Sequence, residues 1–179
     1  MLKRIISGGV TLCMLFITVF CVIQALKAEK LPIGTKMPRV LYQTKRGKKV
    51  LIPGDSTFTF IMYFDQNCKH CRYMLKVLNK FYDKLKNVRL ILLTSDEKFL
   101  ETRGPRFWPN LSGAPNVSWG IIKREYYSQH FGRIVTPSLF IFDQTGHLIW
   151  KRKGEIRIEK IVEVINHSGD PEHRIRSDK

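Results

Sequence analysis

The sequence predicts an α/β fold in which a mixed central sheet carries helices on both faces, and three features carry that prediction. Thr57–Phe64 (TFTFIMYF) and Val88–Thr94 (VRLILLT) are almost wholly apolar, β-branched and aromatic, the pattern of strands buried on both faces. Between them Cys71, Leu75, Leu78, Tyr82 and Leu85 recur at three- and four-residue steps, the stripe of an amphipathic helix. Strand, helix and strand in that order make a βαβ unit with a right-handed crossover.

The chain has 179 residues, 44% of them apolar and 26% charged, enough to bury one core and too hydrophobic for disorder. Its order divides it into a signal-anchor or signal peptide over residues 1–28, an irregular lead-in over 29–39, an α/β domain over 40–167 and a polar tail over 168–179. Ile5–Leu26 is 22 residues without a formal charge. As a helix it would be about 33 Å long, enough for a hydrocarbon core of about 30 Å. Lys3 and Arg4 before it favour a cytoplasmic N-terminus and an outward-facing domain. An uncleaved anchor and a cleaved signal both fit the run.

Pro32, Gly34 and Pro38 disfavour regular structure in the lead-in. Val40–Tyr42 and Val50–Ile52 read as short strands around a basic turn, and Pro53-Gly54-Asp55 turns the chain into the first buried strand. Three prolines and two glycines between Ser95 and Gly120 predict an insertion with one short helix near Glu97–Glu101. Ile121–Phe131 reads as a helix that packs Ile122, Tyr126 and His130 inward. Ser138–Phe142 and Leu148–Lys151, joined by Asp143–Gly146, read as an antiparallel hairpin, and Ile158, Ile161, Val162 and Ile165 form the stripe of a final helix.

Of four cysteines, Cys13 and Cys21 lie in the apolar run and read as filler, which leaves Cys68 and Cys71 alone in the domain. A pair so close in sequence constrains little chain, so its use is chemical rather than structural. A sulfur at a helix N-terminus meets unsatisfied N–H groups and the positive end of the dipole, which favour the thiolate. Lys69, His70 and Arg72 add positive charge. Cys68, on the exposed edge of the helix start, is therefore the expected nucleophile, and Cys71, on the buried stripe, the resolving thiol. A structural zinc site lacks ligands, and no cofactor is called for.

Cys68-Lys69-His70-Cys71, after an apolar strand and opening a helix, resembles the active site of the thioredoxin fold. Thr136-Pro137 resembles that fold's cis-proline segment. The GKK near residue 48, the 69-residue gap from Cys68 to Pro137 and the ending PSLFIFDQTGHLIWKRKGE are similar to the membrane-anchored, extracytoplasmic TlpA/ResA-like thiol-disulfide oxidoreductases, a branch that includes cytochrome c maturation enzymes. The resemblance covers roughly residues 34 to 166. The chain departs from that branch at Asn67, where tryptophan is usual, and at Lys-His, where a proline-containing pair is usual.

What the resemblance implies is an envelope oxidoreductase on the periplasmic side of a bacterial inner membrane, reducing ahead of oxidising. It would exchange dithiol and disulfide with exported proteins and with a membrane redox partner. Lys69 and His70 would tune the couple, and the backbone of Thr136 beside Pro137 would pair with substrate. The alternative is a non-catalytic thioredoxin-fold binding or assembly module with a static disulfide. Peroxide reduction is disfavoured because no distant resolving cysteine exists. The formal net charge of +16 is spread along the chain without a recognition helix, so it points to an anionic membrane surface or acidic clients rather than to nucleic acid. Asp65 is a candidate modulator, and Asp96, Glu97 and Glu101 are candidates for an acid that deprotonates Cys71. His130 and His147 read as structural, and Trp108 and Trp119 as satellite core or partner surface.

Overall fold

The computed structural model describes residues 14, 18, 30–52, 56–101 and 104–168. Seven strands form one sheet in the order β2-β1-β5-β4-β3-β6-β7. These are β1 (Val40–Thr44), β2 (Gly47–Leu51), β3 (Thr59–Phe64), β4 (Arg89–Thr94), β5 (Val117–Ile121), β6 (Ser138–Phe142) and β7 (Leu148–Lys153). The helices are α1 (Lys69–Lys80), α2 (Pro109–Ser112), α3 (Arg124–Phe131) and α4 (Ile158–His167). β3, β4 and β5 run parallel, whereas β6 and β7 add antiparallel on one side and β1 and β2 on the other. The sheet is mixed and flanked by helices on both faces.

Every residue of β3 is buried, as its uninterrupted apolar sequence requires of a strand covered on both sides. Phe60, Met62 and Phe64 point to one face, where Cys71, Met74, Leu75 and Leu78 of α1 and Ile158 and Ile161 of α4 cover them. Ile61 and Tyr63 point to the other, where Tyr127 and Phe131 of α3 and Leu31 and Met37 of the lead-in join them. Tyr63 stacks on Tyr127 with ring centroids 3.9 Å apart. The lead-in is tied to the start of β7 by Gly34 N–H donating to Leu148 O at 2.7 Å and Leu148 N–H donating to Thr35 O at 2.9 Å.

Four expectations need correction. The membrane-spanning anchor expected over Ile5–Leu26 is not found among the described residues, where no helix is long and apolar enough to cross a membrane. The longest α-helix there, α1, has 12 residues. That is about 18 Å, well short of a hydrocarbon core of about 30 Å. Apart from Met14 and Thr18 the segment itself lies outside the described residues, as does most of the tail over 168–179. The membrane-anchored branch and the anchored localisation are corrected accordingly.

The second correction is β5, which lies inside what reads as an insertion. VSWGI is short and contains glycine, and it becomes a strand because β4 and β1 supply its partners. Gly120 allows Tyr42 of β1 to lie where a Cβ would stand. Gly120→Ala is expected to destabilise the domain by about 2–3 kcal/mol through overpacking, measured by denaturant unfolding. Third, α3 starts at Arg124, so Ile121 belongs to β5 and Ile122 is buried ahead of the helix. Tyr127 and Phe131, four apart, then face the core, while Tyr126 and His130 are half-buried and pack on each other. Fourth, α1 ends at Lys80, and Tyr82–Leu85 forms a separate 3-10 turn.

Candidate active site

Both cysteines sit where β3 hands the chain to α1. A tight turn follows Phe64: Cys68 N–H donates to Asp65 O at 3.1 Å, and Asn67 N–H donates to the Asp65 carboxylate at 2.8 Å. Arg72 reaches back so that Nη1 donates to Gln66 O and Asn67 O at 3.1 and 3.2 Å. Asp65 and Arg72 are thus spent on holding the loop. Cys68 is the N-cap of α1, its backbone extended, and its side chain caps no backbone N–H within hydrogen-bond limits. Cys71, one turn on, is fully buried on the stripe that faces β3.

The Thr136–Pro137 peptide bond is cis and lies across the sulfurs, with the Cys68 thiol donating to Thr136 O at 3.5 Å. β6 brings it there, because Ser138 pairs with Tyr63 of β3 at the end of the sheet from which α1 departs. Thr136 and Pro137 therefore meet Cys68 although nearly seventy residues separate them.

The two thiols are electrostatically unlike. Partial burial pushes the Cys68 thiol up, but the Cys71 thiol, the nearby Cys71 N–H, the Thr136 hydroxyl and the nearby His70 N–H, each of which favours the thiolate, outweigh it, and the net direction is down. Burial pushes the Cys71 thiol up to about 12, with its hydrogen bond to Cys68 and the charge on Cys68 adding to the rise, against a smaller lowering from the Asp65 backbone. One thiol is disposed to ionise and the other to hold its proton.

His70 reaches the site differently from the sequence expectation. Its backbone supports Cys68, while its ring points away to Glu155, Nδ1 lying 2.7 Å from Oε1. Glu155 was not visible as a site residue. Register places it: Ser138 pairs with Lys153, and Gly154 N–H donates to Pro137 O at 2.8 Å, so the end of β7 runs beside the proline loop. The pair is well exposed, so its contribution to stability is small, at most about 1 kcal/mol. Lys69 is exposed on the first turn of α1.

The candidate acids are not gathered at Cys71. Asp96 binds Gln66 Nε2 and caps the turn after β4 by accepting from Lys98 N–H at 3.0 Å. Glu97 and Glu101 are exposed and line a separate groove beside β1. Trp119 is core, packed edge-on to Phe64 and donating Nε1–H to Leu111 O, and Trp108 packs partly buried against the same cluster. His130 bonds Tyr126 O, and His147 lies in the hairpin turn organised by Asp143. Among the described residues no group of three or more His, Cys, Asp or Glu converges to hold a metal ion.

Comparison with known proteins agrees with this geometry. The family model of the thioredoxin-like domain matches residues 45–169. The thiol-disulfide oxidoreductase ResA of Bacillus thuringiensis subsp. konkukian is 27% identical over 144 residues, spanning 78% of this chain and 80% of that relative. Among solved structures, a peroxiredoxin-like protein from Aquifex aeolicus superposes with a TM-score of 0.62 at 16% identity, over 77% of this chain and 88% of its own. A putative thiol:disulfide interchange protein DsbE from Chlorobium tepidum does so with 0.56 at 18%, over 73% and 91%. At such identities the solved structures speak to fold alone. Together, fold, relatives and the closely spaced cysteines give this chain the makings of thiol redox chemistry.

Proposed function

This chain belongs to the thioredoxin-like domain family, and from that premise we propose that it catalyses thiol-disulfide exchange with protein substrates through Cys68 and Cys71. The observation that carries the proposal is the opposed disposition of the two thiols, Cys68 lowered at a helix N-terminus and Cys71 raised in the core. The Cys68 thiolate attacks one sulfur of a substrate disulfide. A Cys68–substrate bond forms, the substrate S–S bond breaks, and the departing thiolate takes up a proton. Cys71 then gives up its proton and attacks Cys68, releasing the second substrate thiol and leaving Cys68–Cys71 as the disulfide. The substrate gains two electrons and two protons, and an external dithiol returns the enzyme to its reduced form. Run in reverse, the same steps oxidise a substrate dithiol.

Reduction is the favoured direction, as the relatives' architecture suggests. Hydrogen bonds that stabilise the Cys68 thiolate favour the dithiol form and raise the potential above a thioredoxin-like value of about −270 mV, toward about −200 mV. The thiolate contacts run through backbone N–H groups, Thr136 and Cys71, and the His70 ring is turned to Glu155. Lys69 and His70 therefore modulate the couple less than backbone geometry does.

A second reading, a non-catalytic thioredoxin-fold binding or assembly module, fits the comparisons more closely, since the family model and the solved structures speak to the fold alone. Exposed Asn67 at the position where tryptophan is usual also favours it. Equilibration with glutathione separates the two. A Cys68–Cys71 couple that exchanges rapidly and reversibly supports catalysis, and a disulfide inert to glutathione and dithiothreitol supports the binding module.

A further inference from the structure

Beside the proline loop, on the face of the sheet covered by α3, lies a cavity of about 300 Å³. Lys30, Arg133, Lys151, Arg152 and Lys153 line it, and no acidic residue among the described residues does. Its apolar walls include Phe131 and Phe140, and Ser138, the buried residue after the cis proline, also lines it. Lys151 Nζ donates to Leu31 O at 2.7 Å, which holds the lead-in as one wall. Among the described residues none of the other four cations is paired with a carboxylate, and Glu155 next to them is engaged with His70. Positive charges around a concave, partly apolar site focus their field into it.

We infer that this cavity receives an acidic side chain of the polypeptide substrate, so that the protein prefers cysteines flanked by Asp or Glu. The inference rests on the exchange reading for its substrate. Thr136 O lies 3.5 Å from Cys68 Sγ, and the cavity starts two residues along the chain at Ser138. An extended segment lying along Thr136–Ser138 advances about 3.3 Å per residue. It brings the side chain two or three positions from the reacting cysteine over the basic rim. There the carboxylate meets Arg133 and Lys153, and the methylenes of a glutamate lie on Phe131 and Phe140. A basic or short apolar residue at that position gains neither contact.

The test must separate this cavity from the general attraction of a chain with a net charge of +16. Peptides carrying serine in place of the reactive cysteine, with either Glu or Gln two and three residues away, are titrated at low ionic strength. The Glu peptide is expected to bind about tenfold tighter than the Gln peptide. R133A/K153A should reduce that ratio to about two or less, while the charge-conserving R133K/K153R retains it. K48A/K49A removes as much charge from β2, the opposite edge of the sheet, and should leave the ratio within about twofold of the parent's. A parent ratio near one overturns the inference, as does an equal fall in R133A/K153A and K48A/K49A. The same peptides with cysteine restored as a mixed disulfide report exchange. A preserved binding preference without any exchange would sink the exchange reading and leave the acidic-segment site in place.

Discussion

Cys68→Ser is expected to abolish disulfide exchange, lowering the rate with a peptide disulfide by at least about a thousand-fold, as loss of a covalent nucleophile does. A hydroxyl does not ionise near neutral pH and forms no disulfide. The fold should not suffer. Residue 68 is the N-cap of α1 and its cysteine makes no side-chain cap, whereas serine is among the best N-cap residues. Stability is therefore expected to hold or to rise by up to about 1 kcal/mol. A stable variant without exchange places the defect in chemistry. Retained exchange would mean that Cys71 or another group is the nucleophile.

Cys71→Ala is expected to do the opposite, permitting attack but blocking resolution. A disulfide-bonded adduct between Cys68 and the substrate should build up to nearly one per chain, visible by mass spectrometry and released by dithiothreitol. Alanine is preferable to serine here, because the site is fully buried and an unpaired hydroxyl costs about 1–3 kcal/mol. The same residue makes the reduced protein sensitive to alkali. The unfolded thiol ionises near its ordinary value of about 8.5, while the folded one keeps its proton to about 12. In that window the unfolded state binds fewer protons, so stability falls as pH rises, by up to about 1.4 kcal/mol per pH unit. Reduced parent protein should lose stability between pH 7.5 and 9.5 by chemical unfolding, and Cys71→Ala should lose much less. An equal loss in both would show that Cys71 is not held protonated by the fold.

Much of this site could be read before the structure because its parts are local. The apolar run before Cys68 requires a buried strand. The stripe through Cys71, Leu75 and Leu78 requires a helix, and the spacing of the cysteines puts one sulfur at the helix end and the other inside. Thr136-Pro137 was legible only through its resemblance to a family, since no local rule brings residue 136 to residue 68. The His70–Glu155 contact and the basic cavity were illegible for a physical reason. Strand register decides both, through pairs such as Ser138 with Lys153. β5 was missed because its strand character comes from its neighbours, and proline-rich sequence around it argues for loop.

The central claim is that the fold makes two chemically unequal thiols out of a symmetric-looking pair. It is tested most directly by titrating the reduced protein through the thiolate absorbance at 240 nm, with parallel alkylation at each pH and mass mapping of the modified cysteine. The account predicts that Cys68 ionises and is alkylated below the ordinary thiol range. Cys71 should remain protonated and unmodified until strongly alkaline pH. Two cysteines that titrate together near the ordinary value, or a Cys71 that is alkylated first, would contradict it.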